Sequence, residues 1–257
     1  MVAAIVWGLV QGLTEFLPVS SSGHLIVVPA ILSRLGWEVP DPGLAVSAVL
    51  HLGTLAAVLA YFRTDVSRIL RFRGDPEGRR LGILVLVGTI PAGVGFFIKG
   101  PLDTFGDDVR RVGWALLGTA LILVAGQAAA SGARRLAEGR IADAWVVGLA
   151  QALALIPGIS RSGITIAAGA WRRFTPTEAA RFAFLLGIPA IAAAGLTSIG
   201  DVASDGDFGA ELLVGMAVAA ISGYAAIAAL LTALRRVGLF PFAGYCFVVG
   251  LVAILVL

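Results

Sequence analysis

Six apolar windows constrain what this chain can fold into: residues 43–62, 81–98, 112–130, 179–199, 212–234 and 239–257. Each is long enough to cross a hydrocarbon layer of about 30 Å as a helix, which takes ~17–25 residues. Four shorter apolar runs, 1–16, 20–35, 141–156 and 160–172, come in two pairs, each split by a proline-containing break. A backbone at membrane depth must satisfy its own hydrogen bonds, so the expected class is an all-α integral membrane protein. Composition agrees: 58 % of residues are hydrophobic and 14 % charged, against roughly 25 % charged in a soluble domain.

The two breaks are copies of one motif. Gln11-Gly-Leu-Thr-Glu15-Phe-Leu-Pro18-Val-Ser20-Ser21-Ser22-Gly23-His24 returns as Gln151-Ala-Leu-Ala-Leu155-Ile-Pro157-Gly158-Ile-Ser160-Arg161-Ser162-Gly163. An offset of 140 aligns Gln11 with Gln151, Ser20 with Ser160, Ser22 with Ser162 and Gly23 with Gly163, while Leu155 stands opposite Glu15. Each broken pair reads as a re-entrant helical hairpin followed by three transmembrane helices, giving six spans and ten helical segments. Three is odd, so the second unit enters the bilayer upside down. The expected plan is one membrane domain, 1–257, of two inverted repeats, 1–130 and 141–257, with the site near the midplane where they meet.

Charge predicts the orientation. Arg63, Arg68, Arg71, Arg73, Arg79, Arg80, Arg134, Arg135, Arg140, Arg172, Arg173, Arg235 and Arg236 thread to one side. The other side receives Arg34, Lys99, Arg110, Arg111 and the acidic stretch Asp201 to Glu211. The basic side is cytoplasmic by the positive-inside rule, so both termini are expected outside the cell membrane. The same rule accounts for the +3 net charge without nucleic acid. The single Cys246 excludes an internal disulfide and a cysteine metal site, and Met1–Val10 lacks the basic start of a secretory signal. Thr175-Pro176-Thr177-Glu178 reads as a capping box opening a helix. Pro91 and Pro189 are placed to kink spans, and Asp103 to Asp108 reads as a solvated loop.

Chemistry concentrates in the motif. Gln11 and Glu15, four apart, share a helix face. Pro18 ends that helix, and Ser20, Ser21 and Ser22 supply capping hydroxyls for the next. A helix N-terminus offers free N–H groups and a positive dipole end to an anion. Ser160, Arg161, Ser162 and Gly163 repeat the device with a fixed positive charge. Two such termini and an arginine facing a carboxylate suit an anion carried with a cation, such as a diphosphate with a divalent metal. The blander readings are an Arg161–Glu15 structural pair, a packing role for His24, a bundle contact for His51, and a structural Arg181.

Both motifs resemble the signatures of the undecaprenyl-diphosphate phosphatase family of bacitracin-resistance proteins. Residues 11–24 are similar to its (Glu/Gln)-x-x-x-Glu and Pro-Val-Ser-Ser-(Ser/Thr)-Gly-His elements, and 157–165 to Pro-Gly-x-Ser-Arg-Ser-Gly-x-Thr; Phe182 to Pro189 and Phe240 to Ala243 add to the likeness. The resemblance covers essentially the whole chain. It implies a membrane phosphatase that converts a C55 polyprenyl diphosphate to the monophosphate, recycling the lipid carrier of peptidoglycan synthesis at the outer leaflet. It implies catalytic roles for Glu15, Ser21, His24 and Arg161, with Gln11 and Glu15 toward Mg2+ or Ca2+. Gln11 departs from members with two carboxylates, and an amide holds a metal more weakly.

In the expected mechanism Arg161, Ser20, Ser22, Ser160, Ser162 and Gly163 bind phosphate. Ser21 attacks, with His24 as base or orienting group; alternatively water attacks and Ser21 only binds phosphate. The other reading of the same architecture is a transporter or flippase of a lipid phosphate or small anion.

Overall fold

A computed structural model describes residues 1–37, 43–96, 105–106, 108–205 and 209–257. Lys99 and part of the Asp103 to Asp108 stretch lie outside these residues. Eleven α-helices are present and no β-strand among the described residues. They are α1 Val2–Phe16, α2 Ser21–Arg34, α3 Gly43–Tyr61, α4 Arg63–Leu70, α5 Pro76–Phe96, α6 Val109–Ala128, α7 Ile141–Leu153, α8 Arg161–Trp171, α9 Pro176–Asp205, α10 Ala210–Arg236 and α11 Phe240–Leu255. A 3₁₀ turn covers Leu136–Glu138.

The helices are those of an integral membrane protein. Val109–Ala128, Pro176–Gly195 and Ala210–Arg236 are each long and apolar enough to cross a bilayer unbroken. Residues 49–61 of α3 and the helix α4 bend by 82° where they meet, and qualify only as a pair. The expected loop 63–80 is therefore partly helical, and the described residues hold eleven helical segments where ten are expected. Arg63, Arg68 and Asp65 on α4 are too polar to continue α3 through hydrocarbon. The last helix is 16 residues, shorter than the window 239–257. Pro91 and Pro189 lie inside α5 and α9, and both helices continue through them.

Small residues bring the helices together, as expected where lipid leaves no hydrophobic drive between apolar surfaces. A Cβ on Gly8 of α1 would lie 2.5 Å from the Gly215 carbonyl of α10. One offset later, a Cβ on Gly148 of α7 would lie 2.3 Å from the Gly88 carbonyl of α5. Where α6 meets α11, Gly113 and Gly250 each face the other's carbonyl oxygen, at 3.0 and 2.9 Å for the added Cβ. α3 packs on both α9 and α10. An aromatic core fills the centre, where Phe184 meets Phe16 and Phe62 with ring centroids 5.6 and 5.9 Å apart.

The polar loops gather at two ends. At one, Asp65 pairs with Arg181, and Asp143 with Arg134 and Arg172. There Arg80 donates to the Gly139 carbonyl and Leu136 N–H to Glu178. Glu178 thus departs from the expected capping box. Its N–H does reach Thr175 Oγ1 at 3.3 Å, but its carboxylate turns to Leu136 N–H and Arg181. Arg181 is held by Asp65 and Glu178. Asp75 accepts from Arg68 and from Gly78 N–H, which hold its carboxyl down at about 2. At the other end the Met1 ammonium pairs with Glu211, and Arg34 reaches the Leu257 carbonyl at 3.5 Å.

Candidate active site

α1 stops at Phe16 because Pro18 disfavours helical geometry in the residue before it and clashes with a continuing helix. The chain then turns at Ser20, whose φ of 71° is unusual for a residue with a side chain. Ser20 Oγ accepts from Gly23 N–H at 3.2 Å and caps α2. Ser160 Oγ accepts from Gly163 N–H at 3.1 Å and caps α8. Both pairs of outer serines also approach each other, Ser20 to Ser22 at 3.3 Å and Ser160 to Ser162 at 3.2 Å. The capping chemistry read from the motif is present in both copies, and it engages the Gly163 N–H expected to bind phosphate.

Glu15 is where the two copies meet. Its Oε2 accepts from Ser21 Oγ at 2.7 Å and from Gln11 Nε2 at 2.9 Å. Its Oε1 accepts from an Arg161 terminal N–H. His51 Nε2 lies 3.8 Å from Oε2. Ser21 and Arg161 are the same position one repeat apart, each the first residue of its helix. The carboxylate is 5 % exposed and the guanidinium 18 %. A pair this buried is costly to break from one side, by about 3–5 kcal/mol in folded interiors. The guanidinium fits because α9 has no side chain behind it: a Cβ on Gly187 would lie 1.9 Å from one of its terminal nitrogens.

These groups face a cavity of about 330 Å³. The polar lining is Glu15, Ser20, Ser21, Ser22, His51, Ser160, Arg161 and Ser162. The rest is Thr14 with Leu155, Pro157, Ile159, Ala154, Ala190, Ile191 and Ala194. Leu155, opposite Glu15 in the repeat, is thus part of the apolar lining.

Two histidines change places relative to the sequence reading. His24 does not line the cavity. Its Nδ1 lies 2.7 Å from the Ser20 carbonyl and its Nε2 2.8 Å from Tyr245 Oη, with the rings stacked. Both ring nitrogens are thus engaged, one with the Ser20 turn and one with α11. His51, read as a bundle contact, does line the cavity; its Nδ1 meets the Ser47 carbonyl at 2.7 Å, which aims Nε2 toward Glu15. The rule that ionisable groups at membrane depth are functional by default applied to His51 as much as to Glu15. Gln11 is fully buried behind Glu15, and its Oε1 has no hydrogen-bond partner.

That orphaned oxygen bears on a metal. Among the described residues no three His, Cys, Asp or Glu side chains gather as a closed cage. A buried amide oxygen without a partner beside one carboxylate is nevertheless a pair of hard oxygen donors. Mg2+ is commonly held by one or two carboxylates together with substrate phosphates; Gln11 turns its Nε2–H to Glu15 here, so its oxygen would join the carboxylate around such a cation only with the amide turned over.

Comparison with known sequences agrees with the motifs. Residues 4–252 match the family described as bacitracin resistance protein BacA. The chain belongs to the BacA family. A protein of Thermomicrobium roseum named undecaprenyl-diphosphatase is 46 % identical to this BacA chain over 274 residues, covering 98 % of this chain and 96 % of its own. Proteins of the same name from Geobacter sulfurreducens and Methanosphaera stadtmanae are 42 % and 37 % identical, over 96 % and 99 % of this chain and 94 % and 97 % of theirs.

Proposed function

We propose that this BacA-family protein hydrolyses undecaprenyl diphosphate to the monophosphate and inorganic phosphate, renewing the lipid carrier of peptidoglycan synthesis. The observation that carries the reading is the Ser21 hydroxyl donating to Glu15 while Arg161 holds the other oxygen of that carboxylate. An anion transporter has no need of a hydroxyl hydrogen-bonded to a base, and the relatives' common name favours the phosphatase.

Ser21 Oγ is within proton-transfer reach of Glu15 Oε2. Ser21 attacks the terminal phosphorus, its proton passes to Glu15, and the bond from phosphorus to the bridging oxygen breaks. The lipid monophosphate leaves, and water then releases phosphate from Ser21. Arg161 gives one N–H to Glu15 and carries four more for phosphate oxygens. Charge on the transferred group is the main obstacle, so this positioning supplies much of the rate. Ser20 and Ser160 shape the two loops, and Ser22 and Ser162 line the phosphate end. Attack by water, with Ser21 only gripping phosphate, uses the same groups.

Glu15 and Gln11 Oε1 would hold a divalent cation, Mg2+ or Ca2+, that neutralises diphosphate charge.

Two inverted repeats in the inner membrane account for the architecture. The pairing of α1 with α10, matched one repeat later by that of α7 with α5, and the contact of α6 with α11 support this reading. The broken pairs α1–α2 and α7–α8 are then re-entrant hairpins. The end that gathers the 63–80, 131–143 and 172–178 loops is cytoplasmic, and the end with Met1 and Leu257 faces outward with the site.

Phosphate release from farnesyl diphosphate and undecaprenyl diphosphate in detergent, with and without EDTA, tests the proposal. Release from both, lost with EDTA, is expected. A pure, folded protein that releases none under any metal condition would overturn it.

A further inference from the structure

The loops that carry the chemistry are held from outside their own hairpins as well as from within. Thr119, on α6 and 1 % exposed, reaches across to the second loop. Its Oγ1 donates to the Gly158 carbonyl at 2.9 Å and accepts the Ser160 N–H at 3.0 Å. One hydroxyl thus closes both backbone groups flanking Ile159. Gly158 has φ of 96°, and a Cβ there would lie 2.7 Å from Ala115 and 2.8 Å from the Val112 carbonyl. α6 therefore presses directly on the turn. The next residue after Ser160 is Arg161, the first of α8.

The first loop has a counterpart. Cys246, on α11 and fully buried, directs Sγ to the Pro18 carbonyl at 3.6 Å. Pro18 is Gly158 minus 140. α6 and α11 are the pair that meet through Gly113 and Gly250. The last helix of each half thus latches the loop of the other half, strongly by a hydroxyl on the Arg161 side and weakly by a thiol on the Ser21 side.

We infer that Thr119 is a positioning residue for the reaction, fixing the Pro157–Ser160 turn so that Arg161 meets Glu15 and the substrate phosphate. This rests on the phosphatase reading of the site. Without the hydroxyl, the Gly158 carbonyl and Ser160 N–H lose their buried partner, and the turn relaxes to find others. The guanidinium shifts with it, and a displacement on the ångström scale is enough to cost about 100-fold in rate.

The test is the series Thr119→Ser, Thr119→Cys and Thr119→Val, each purified in detergent. Two readouts are taken: phosphate release from farnesyl diphosphate, and amide hydrogen exchange of the 157–162 segment. The serine variant should match wild type in both. The cysteine variant, with the weaker donor found at Cys246, should be intermediate. The valine variant should lose ~10–100-fold in kcat with faster exchange confined to that segment. Adding Thr119→Val to Arg161→Ala should lower activity no further, because the latch acts through Arg161. If valine is poorly folded, the serine–cysteine comparison carries the result. Wild-type exchange and kcat in the valine variant, or equal loss in serine and valine, would overturn the latch. A wild type that releases no phosphate overturns the phosphatase reading instead, and the exchange readout still decides whether Thr119 holds the turn.

Discussion

Gly187 lies directly behind Arg161, so close that a single methyl group on its Cα would occupy the place of a guanidinium nitrogen, 1.9 Å away. The guanidinium has therefore to move if position 187 gains any side chain. Gly187→Ala is expected to cut phosphate release by ~10–100-fold, the scale for ångström misplacement of a catalytic group. Thermal stability should fall much less, because alanine is the better helix former. Activity within a few-fold of wild type would mean that Arg161 works from another position.

Arg161→Lys keeps the charge and removes the planar fork that can hold Glu15 and phosphate together. A loss of at least ~100-fold in kcat is expected, the size of one strong transition-state contact. Steady-state kinetics on farnesyl diphosphate give the answer, and near-normal turnover would make Arg161 a structural partner of Glu15.

Position 11 tests the cation. Gln11→Glu would set a second carboxylate at the orphaned oxygen, so half-maximal rate should come at lower Mg2+ or Ca2+ with activity retained. Glu15→Gln should abolish metal-dependent release, since it leaves Ser21 and Arg161 without a carboxylate. Metal titrations of the three proteins check both. An unchanged requirement in Gln11→Glu would put position 11 outside the coordination shell.

Orientation is open to labelling. Gly74 is exposed with no heavy atom closer than 3.8 Å to an added Cβ, so Gly74→Cys on a Cys246→Ser background should fold normally. In intact cells a membrane-impermeant maleimide should leave it unmodified until the membrane is permeabilised. Prompt labelling from outside would reverse the topology.

The motif made most of the site legible in sequence. Glu15, Ser21 and Arg161 were each singled out, and they meet within hydrogen-bonding distance although Arg161 lies 146 residues from Glu15. Spacing along one helix told that Gln11 and Glu15 share a face. It did not tell which way an isolated imidazole turns. His24 follows the serines but is drawn off by Tyr245, 221 residues away, and His51 arrives from α3 with no local pattern to mark it. Thr119 and Gly187 were invisible for the same reason: an apolar helix gives no sign of which threonine or glycine meets a distant loop. Hydropathy found the windows of α6, α9 and α10. It missed α4, because a short polar helix lying across the end of a span has the composition of a loop.

The cavity is lined both by polar groups, Glu15 and Arg161 among them, and by oily ones, among them Leu155, Ile159 and Ala190. An intact diphosphate lipid suits both kinds of lining at once. Cleavage frees one phosphate as a small hydrated ion and leaves a lipid whose head carries one phosphate fewer. The ion has no tail for the oily residues, and the lipid monophosphate offers less charge to Arg161, so each product is gripped by less of the chamber than the substrate was.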